Sequence, residues 1–270
     1  QRQMCIRDRM VTIKPTVKLS PQEYAEGSWQ QPTTENAPKF SAAAYHYALT
    51  LQRTLQIPIG VITCAWGGSR VEGWLPKEIL QTYKDEDLTL IGSDKTPVYL
   101  QSMLMYNGIL YPCHKYTIKG FIWYQGESNV RSSRTYAERL ATMVKHWRSI
   151  WGQGDLPFYY VETVPFACEY KEDGYIGALL REAQQKALSL IPNSGMIGTN
   201  DLVEIYEAPQ VHPHNKKGIG ERLAYMSLNK TYGCQGIESE YPSYKSMKIN
   251  GETIEISFSH AEKGLSLIHI

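Results

Sequence analysis

The sequence predicts an α/β protein built on a doubly wound parallel sheet. Short apolar runs of strand length alternate with segments that repeat apolar residues at helical spacing. The clearest helical segment begins at Phe40 and continues at i, i+3, i+4 and i+7 to Leu55. Polar clusters directly follow several of the apolar runs. Because this alternation requires βαβ crossovers, it places helices on both faces of a parallel sheet.

The remaining elements follow from the same two signals, which are apolar runs of strand length and apolar residues at helical spacing. The predicted strands are short apolar runs, at 59–65, 118–124, 157–162 and 196–199. The predicted helices lie at 40–55, 76–83, 103–110, 140–150, 177–190 and 213–229, the last opening with Pro213 at its first position. Residues 11–38 are polar and contain proline, so they are predicted to be irregular. Alternating residues on both sides of Asn250-Gly251 predict a β-hairpin over 244–258.

These elements divide the chain into an α/β domain and the start of another region. The domain covers residues 11–233, and residues 234–264 begin a β-rich region. The ends, 1–9 and 265–270, carry no helical or strand period and resemble adapter read-through at the ends of metagenomic gene predictions. We therefore expect these ends to be non-native and exclude them from the fold. The alternative is a natural short tail at each end.

Composition narrows the class of protein. The chain has 270 residues, 42% of them hydrophobic, and a net charge of +1. The near-zero charge predicts no nucleic-acid partner, and no apolar run is long enough to insert into a membrane. The five cysteines are scattered, with no C-x-x-C and no Cys/His spacing suited to zinc. Isolated thiols and no metal site are therefore expected.

Candidate site residues gather at one edge of the predicted sheet. Ligands of open parallel sheets bind beyond the carboxyl ends of the strands. Gly67, Gly68 and Ser69 follow the first predicted strand, and the polar run 125–129 follows the second. Asp201 follows the fourth strand, and His212 lies in the loop beyond it. Paired glycines expose backbone N–H groups to an oxyanion, and histidine is the commonest general base.

Several stretches together are similar to one known family. They are FSAAAYHYALTLQ, IPIGVITCAWGGSRVEGWLP, MLMYNGILYP, IKGFIWYQGESN, LREAQ and VHPHNKKGIGERLAY, in family order over roughly residues 40–230. This chain resembles the sialate O-acetylesterase family of carbohydrate esterases, within the SGNH-hydrolase superfamily. The resemblance implies a flavodoxin-like fold and a serine esterase that removes O-acetyl groups from sugars, without a metal or organic cofactor.

The resemblance also assigns roles. It makes His212 the general base, Gly67 or Gly68 an oxyanion donor, and Gln125, Glu127 and Asn129 the residues that line and shape the oxyanion hole. The family's nucleophile lies in a Gly-Gln-Ser-Asn block after the first strand, and no such block occurs here. The first strand is therefore expected to be missing, and the chain as written is expected to be inactive. Ser69 and Ser128 do not lie in a G-x-S-x-G elbow.

The residue that orients His212 stays open at this point. The superfamily places an acid two or three residues before the histidine, where this sequence has Gln210 and Pro209. Asp201, Glu207 or a backbone carbonyl could take the role, and Asp201 is preferred. Arg70 could meet a sugar carboxylate or be held in a salt bridge.

Other functions and settings also remain open. The chain could be a non-catalytic carbohydrate-binding or structural remnant, and the intact protein could act on acetylated xylan. A nucleotide-binding protein is disfavoured, because no G-x-G-x-x-G or P-loop follows a strand. The expected partner is an O-acetylated carbohydrate, and the resemblance favours a periplasmic or secreted location. The oligomeric state is not predicted.

Overall fold

The computed structural model describes residues 9–166, 175–207, 209–262 and 264. Most of its helices and strands alternate along the chain. The strands are β1 (Arg9–Thr12), β2 (Gly60–Thr63), β3 (Phe121–Trp123), β4 (Phe158–Val161), β5 (Ser194–Ile197), β6 (Ser243–Asn250) and β7 (Thr253–Ser259). The helices are α1 (Ala42–Leu55), α2 (Lys77–Leu80), α3 (Ser133–Trp151), α4 (Ile176–Leu190) and α5 (Lys216–Lys230).

The parallel strands confirm the predicted fold class. β1 pairs with β2 in parallel, and β3, β4 and β5 form a second parallel ladder in that order. Apolar residues of α3 and α4 join one core cluster with Phe158 and Tyr160, whereas α1 and α5 pack on Tyr159 and Val161. Successive residues of β4 thus point to opposite helical layers, as a sheet covered on both faces requires.

The sheet is interrupted between β2 and β3. Within the described part of the chain, β2 pairs only with β1, and β3 pairs only with β4. Ile62 and Ile122, on the strands that border the interruption, are half-buried, whereas all four residues of β4 are buried. The loops after β2 and β3 nevertheless touch each other, so the carboxyl ends of both strands lie at one edge.

Two expectations about the first residues are corrected in part. The stretch 11–38 is mostly irregular, but Val11 and Thr12 belong to β1, which begins at Arg9, inside the segment expected to be foreign. Met10 and Val11 are buried and join different core clusters. A strand of four residues escaped prediction because only two of them carry a core-facing apolar side chain. Residues 1–8 and 265–270 lie outside the described residues.

The last helix begins later than predicted. Pro213 is buried in the preceding loop, and α5 starts at Lys216. Asn215 caps it, because its Oδ1 accepts a hydrogen bond from the backbone N–H of Gly218 at 2.9 Å. Asparagine is among the best N-cap residues, since it satisfies an N–H that the helix itself leaves free. The shift leaves His214 in the same loop as His212 rather than on the helix.

The predicted hairpin is confirmed. β6 and β7 pair antiparallel with Asn250 opposite Thr253, and Gly251 has a φ of +60° in the turn. Both strands keep most of their large apolar side chains exposed, among them Tyr244, Ile249 and Ile254. The boundary at residue 234 and the β-rich region stay predictions.

Candidate active site

The loop after β2 presents two glycines, of which Gly68 lies in tight surroundings and Gly67 faces open space. Gly68 has a φ of +74°, and a Cβ built there would lie 2.9 Å from the ring of Tyr99. Only glycine adopts this conformation without strain, so the residue type follows from the backbone. Ser69 is buried, and its Oγ accepts a hydrogen bond of 2.9 Å from the indole N–H of Trp74. Its hydroxyl oxygen is thus already engaged within the protein.

The loop after β3 is tied to that first loop by buried amide groups. Gln125 donates from Nε2 to the carbonyl oxygen of Ser69 at 2.9 Å and to Oδ1 of Asn129 at 2.8 Å. The same Oδ1 accepts the backbone N–H of Val71 at 3.0 Å. Because Gln125 and Asn129 are buried and bonded to protein, they hold the two loops together.

A buried ion network stands behind these loops. Asn129 donates from Nδ2 to Glu72 at 3.0 Å, and Arg139 of α3 donates to the other Glu72 oxygen at 2.5 Å. Arg70 donates to Glu86 at 2.6 Å and to the carbonyl oxygen of Leu100 at 3.0 Å. Arg70 is therefore held in a salt bridge, which favours that alternative over contact with a sugar carboxylate.

The packing around Gly126 explains why the polar run contains a glycine. A Cβ at this position would overlap the Cγ2 methyl of Thr163 and crowd Leu180 and the side-chain amide of Gln184. Gln184 in turn accepts the backbone N–H of Thr163 at 2.9 Å. At this point the chain turns against the end of β4 and against α4. It can do so only because residue 126 has no side chain.

Glu127 lies where several charged groups meet. Burial raises the pKa of its carboxyl group, and the positive charges of His212 and Lys216 partly oppose that rise. Lys216 donates from Nζ to the Tyr124 hydroxyl at 3.1 Å. Burial lowers the pKa of Lys216, while Glu127 and Glu207 oppose that change. The end of β3, the loop that carries His212 and the start of α5 therefore converge on one carboxylate.

Asp201 has a different partner from the one expected. Arg222 of α5 holds it through two hydrogen bonds, of 2.7 Å to Oδ1 and 2.5 Å to Oδ2. These bonds lower the pKa of the Asp201 carboxyl group. Arg222 also donates to the carbonyl oxygen of Gly198 at 2.7 Å. This pairing gives Asp201 a role in fastening the loop after β5 to α5.

Glu207 binds His214 rather than His212. Its buried carboxylate accepts the backbone N–H of His214 at 2.7 Å, the ring Nδ1 of His214, and the backbone N–H of Glu204 at 3.0 Å. The hydrogen bonds from the backbone of Glu204 and from His214 hold the pKa of Glu207 at about 2. They close the loop that carries His212, whose own side chain is exposed.

The structure thus brings together most of the predicted site. Gly67, Gly68, Gln125, Glu127, Asn129 and His212 lie in loops at one edge of the sheet. Asp201 lies in the loop after β5, where Arg222 binds it. Lys216 and the Glu207–His214 pair were missed, because no sequence spacing marks contacts made across a loop. The described residues hold no cluster of three or more His, Cys, Asp or Glu side chains placed to bind a metal ion. Among the described helices, none is long and apolar enough to cross a bilayer.

Comparison with known proteins decides the family. The model of a family described as carbohydrate esterase, sialic acid-specific acetylesterase, matches residues 30–229. The chain belongs to this family. The match contains every predicted site residue, and it also contains the loops after β2 and β3 that the buried amides join. Family membership rests on this match over most of the chain.

Individual relatives agree with that assignment. A sialate O-acetylesterase of Pongo abelii is 25% identical over 257 residues, which cover 87% of this chain and 49% of that protein. The human sialate O-acetylesterase is 26% identical over 234 residues, covering 79% and 44%. The chain therefore spans about half the length of these curated relatives.

Solved structures support the fold. A carbohydrate acetylesterase from Xanthomonas citri matches with a TM-score of 0.79 and 29% identity, over 96% of this chain and 57% of that one. A protein of Arabidopsis thaliana matches with a TM-score of 0.52 and 18% identity, over 85% and 84%. The second likeness concerns the fold alone.

Proposed function

We propose that this chain supplies most of the active site of a serine esterase that removes O-acetyl groups from sugars. The observation that carries the proposal is the convergence of three loops at one sheet edge. The loop of Gly67 and Gly68 is bonded to the loop of Gln125–Asn129, and His212 lies near enough to Glu127 to affect its ionisation. Backbone donors, an imidazole and a carboxylate are the groups that acyl transfer needs besides the nucleophile.

The nucleophile would arrive on a further strand. We propose that a parallel strand fills the interruption between β2 and β3 and carries the serine in a Gly-Gln-Ser-Asn block. The half-buried Ile62 and Ile122 support this, since a central strand would cover them. A strand there would end between the loop of Gly68 and the loop of Glu127. Its terminal serine would thus meet the oxyanion donors and His212.

Each step can then be written with these groups. His212 takes the proton of the serine hydroxyl while the serine oxygen attacks the acetyl carbonyl carbon. Backbone N–H groups at Gly67 or Gly68 stabilise the negative charge that develops on the carbonyl oxygen. His212 returns the proton to the departing sugar oxygen. It then activates water, which releases acetate and restores the serine.

Glu127 is the best placed acid to serve His212. Of the three acidic candidates, Asp201 is engaged by Arg222 and Glu207 by His214 and the loop backbone. Glu127 is the one of the three whose pKa responds to the charge of His212. A carboxylate near the imidazole stabilises the imidazolium that forms during proton transfer. In this proposal Asp201 would act only if it left Arg222.

The proposed substrate is an O-acetylated carbohydrate. The names of the mammalian relatives make acetylated sialic acid the first candidate, and acetylated xylan is the alternative. Arg70 is bound by Glu86, so the proposal leaves it out of carboxylate recognition. Specificity would then come from loops rather than from this arginine.

A chimaeric protein tests the proposal. A segment that supplies a β-strand ending in a Gly-Gln-Ser-Asn block would be fused before Arg9, once with its serine and once with that serine changed to alanine. We expect acetate release from an O-acetylated sugar only with the serine, and none from this chain alone. A folded serine chimaera without activity would favour the non-catalytic carbohydrate-binding alternative. Activity of the chain alone would contradict the proposed origin of the nucleophile.

A further inference from the structure

Two cysteines that are distant in sequence lie side by side in the fold. Cys64 directly follows β2, and Cys113 ends the short helical turn Tyr111–Cys113. Their Sγ atoms are 3.9 Å apart, although 49 positions separate the two residues. The expectation of isolated thiols does not hold for this pair, because only the packing of β2 against the segment 106–113 brings them together.

The two thiol groups also share a hydrogen-bond acceptor and are shielded from solvent to different degrees. The thiol groups of Cys64 and Cys113 share one acceptor, the carbonyl oxygen of Ile109, at 3.6 Å and 3.5 Å. Cys113 is buried, and Cys64 is half-buried. A disulfide requires an Sγ–Sγ distance of about 2 Å. Oxidation would therefore require the two sulfur atoms to close the remaining separation by side-chain rotation.

We propose that Cys64 and Cys113 form a reversible disulfide that fastens the end of β2 to the segment 106–113. The loop of Gly67 and Gly68 begins three residues after Cys64, so the bond would fix the base of the loop that offers the oxyanion donors. This proposal does not depend on esterase activity, because it concerns only the two thiols and their packing.

The oxidant would be a small disulfide such as oxidised glutathione. The hydrogen bond with Cys113 and burial raise the pKa of Cys64, but Cys64 is the more exposed of the two thiols. Its thiolate fraction attacks one glutathione sulfur, which forms a mixed disulfide and releases one glutathione thiol. The Cys113 thiolate then attacks the Cys64 sulfur and releases the second glutathione. The proton of each protein thiol passes to the glutathione thiolate that leaves in that step. Two protein thiols are thus oxidised while one glutathione disulfide is reduced to two thiols.

Peptide mapping tests the proposal directly. The protein is equilibrated in glutathione buffers of increasing oxidised fraction, quenched with acid, alkylated and digested with trypsin without reduction. We expect the peptide 54–70 to be recovered linked to the peptide 96–115, with a mass two hydrogens below their sum. Cys234, which is also free and half-buried, serves as the reference thiol and should remain alkylated under conditions that oxidise the pair.

Variants keep the result interpretable. Cys113→Ser should abolish the linked peptide and leave Cys64 alkylated or glutathionylated, with an unchanged far-ultraviolet circular dichroism spectrum. Wild-type protein should also melt at a higher temperature in the oxidised buffer than in the reduced buffer, and Cys113→Ser should lose that difference. Recovery of both peptides as separate alkylated thiols at every buffer composition would overturn the proposal. Linkage of Cys64 to any other cysteine would overturn it equally.

Discussion

Gln125 donates a hydrogen bond from Nε2 to the carbonyl oxygen of Ser69 at 2.9 Å, and this bond joins the loops that follow β3 and β2. Both groups are buried, so neither can exchange its partner for water. A buried amide that lost this acceptor would be left unsatisfied, at a cost of about 1–3 kcal/mol. The loop that carries the candidate oxyanion donors is therefore positioned by a side chain of the loop that carries Glu127.

Asn129 should be the most sensitive position of this junction. Asn129→Ala leaves the Val71 N–H and one oxygen of Glu72 without their partner, so we expect unfolding to become easier by about 3 kcal/mol. Chemical denaturation measures the change. Ser128→Ala, in the same loop, removes one bond from a half-buried hydroxyl to Gly68 and should cost about 1 kcal/mol. Equal effects of the two substitutions would show that the buried network does not hold the loops.

Arg139 should be needed for folding stability because of its buried partner. Glu72 is fully buried, and Arg139→Met would leave its charge without the 2.5 Å contact. Breaking one side of a buried ion pair costs about 3–5 kcal/mol. Lys186→Met removes an exposed ion pair with Glu138, the neighbour of Arg139, and should cost less than about 1 kcal/mol. An Arg139→Met variant as stable as Lys186→Met would contradict the role of the network.

Glu127→Gln should stabilise the protein while it impairs catalysis. Burial raises the pKa of Glu127, so the folded protein binds this proton more tightly than the unfolded chain. The carboxylate therefore lowers stability at neutral pH, and the penalty disappears as pH falls through the raised pKa. We expect the variant to melt higher than wild type at pH 7, with a difference that shrinks toward pH 4.

In the serine-containing chimaera, the same substitution should lower the esterase activity. If Glu127 supports the imidazolium of His212, Glu127→Gln should reduce acetate release by roughly 10²–10⁴-fold. Asp201→Asn, which loosens the contact with Arg222, is the matched control and should leave most activity intact. Loss of activity in Asp201→Asn alone would return the acid role to Asp201.

Glu207→Gln should change the melting temperature in the direction opposite to Glu127→Gln, also in a pH-dependent way. Hydrogen bonds hold the pKa of Glu207 at about 2, below its ordinary value of 4.5. Its carboxylate therefore stabilises the fold above about pH 4.5, and this contribution is lost as pH falls toward 2. We expect Glu207→Gln to melt lower than wild type at pH 7 and to converge with it in acid. A constant difference across this range would show that the loop bonds do not depend on the charge.

Most of the architecture was predictable from the sequence, because the 3.6-residue period and the apolar runs depend on neighbouring residues. α1, β4 and the hairpin were located within a few residues of their observed bounds, whereas α3 ends as predicted but begins seven residues earlier, at Ser133. β1 was missed, since four residues with two buried side chains give almost no periodic signal. The start of α5 was misplaced, because Pro213 and Asn215 both suit helix starts and only tertiary packing chooses between them.

The site was predictable where glycines and polar runs mark the ends of strands. The pairing of its charges was not predictable. Asp201 could be matched with His212 by order along the chain, but the contact with Arg222 depends on how α5 lies beside β5. Glu207 and His214 meet across a loop that no period describes. Side-chain pairing of this kind is decided by the three-dimensional arrangement of loops, which local sequence does not encode.

The most direct test of the proposed esterase site is the rate of acetate release by the serine-containing chimaera with either histidine replaced. His212→Ala should lower the rate to the level of the chimaera whose serine is alanine, because no base would remain for the serine proton. His214→Ala should retain most of the activity and mainly weaken the loop that Glu207 closes. If His214→Ala abolishes acetate release and His212→Ala does not, the proposed base and the role of Glu127 beside it are wrong.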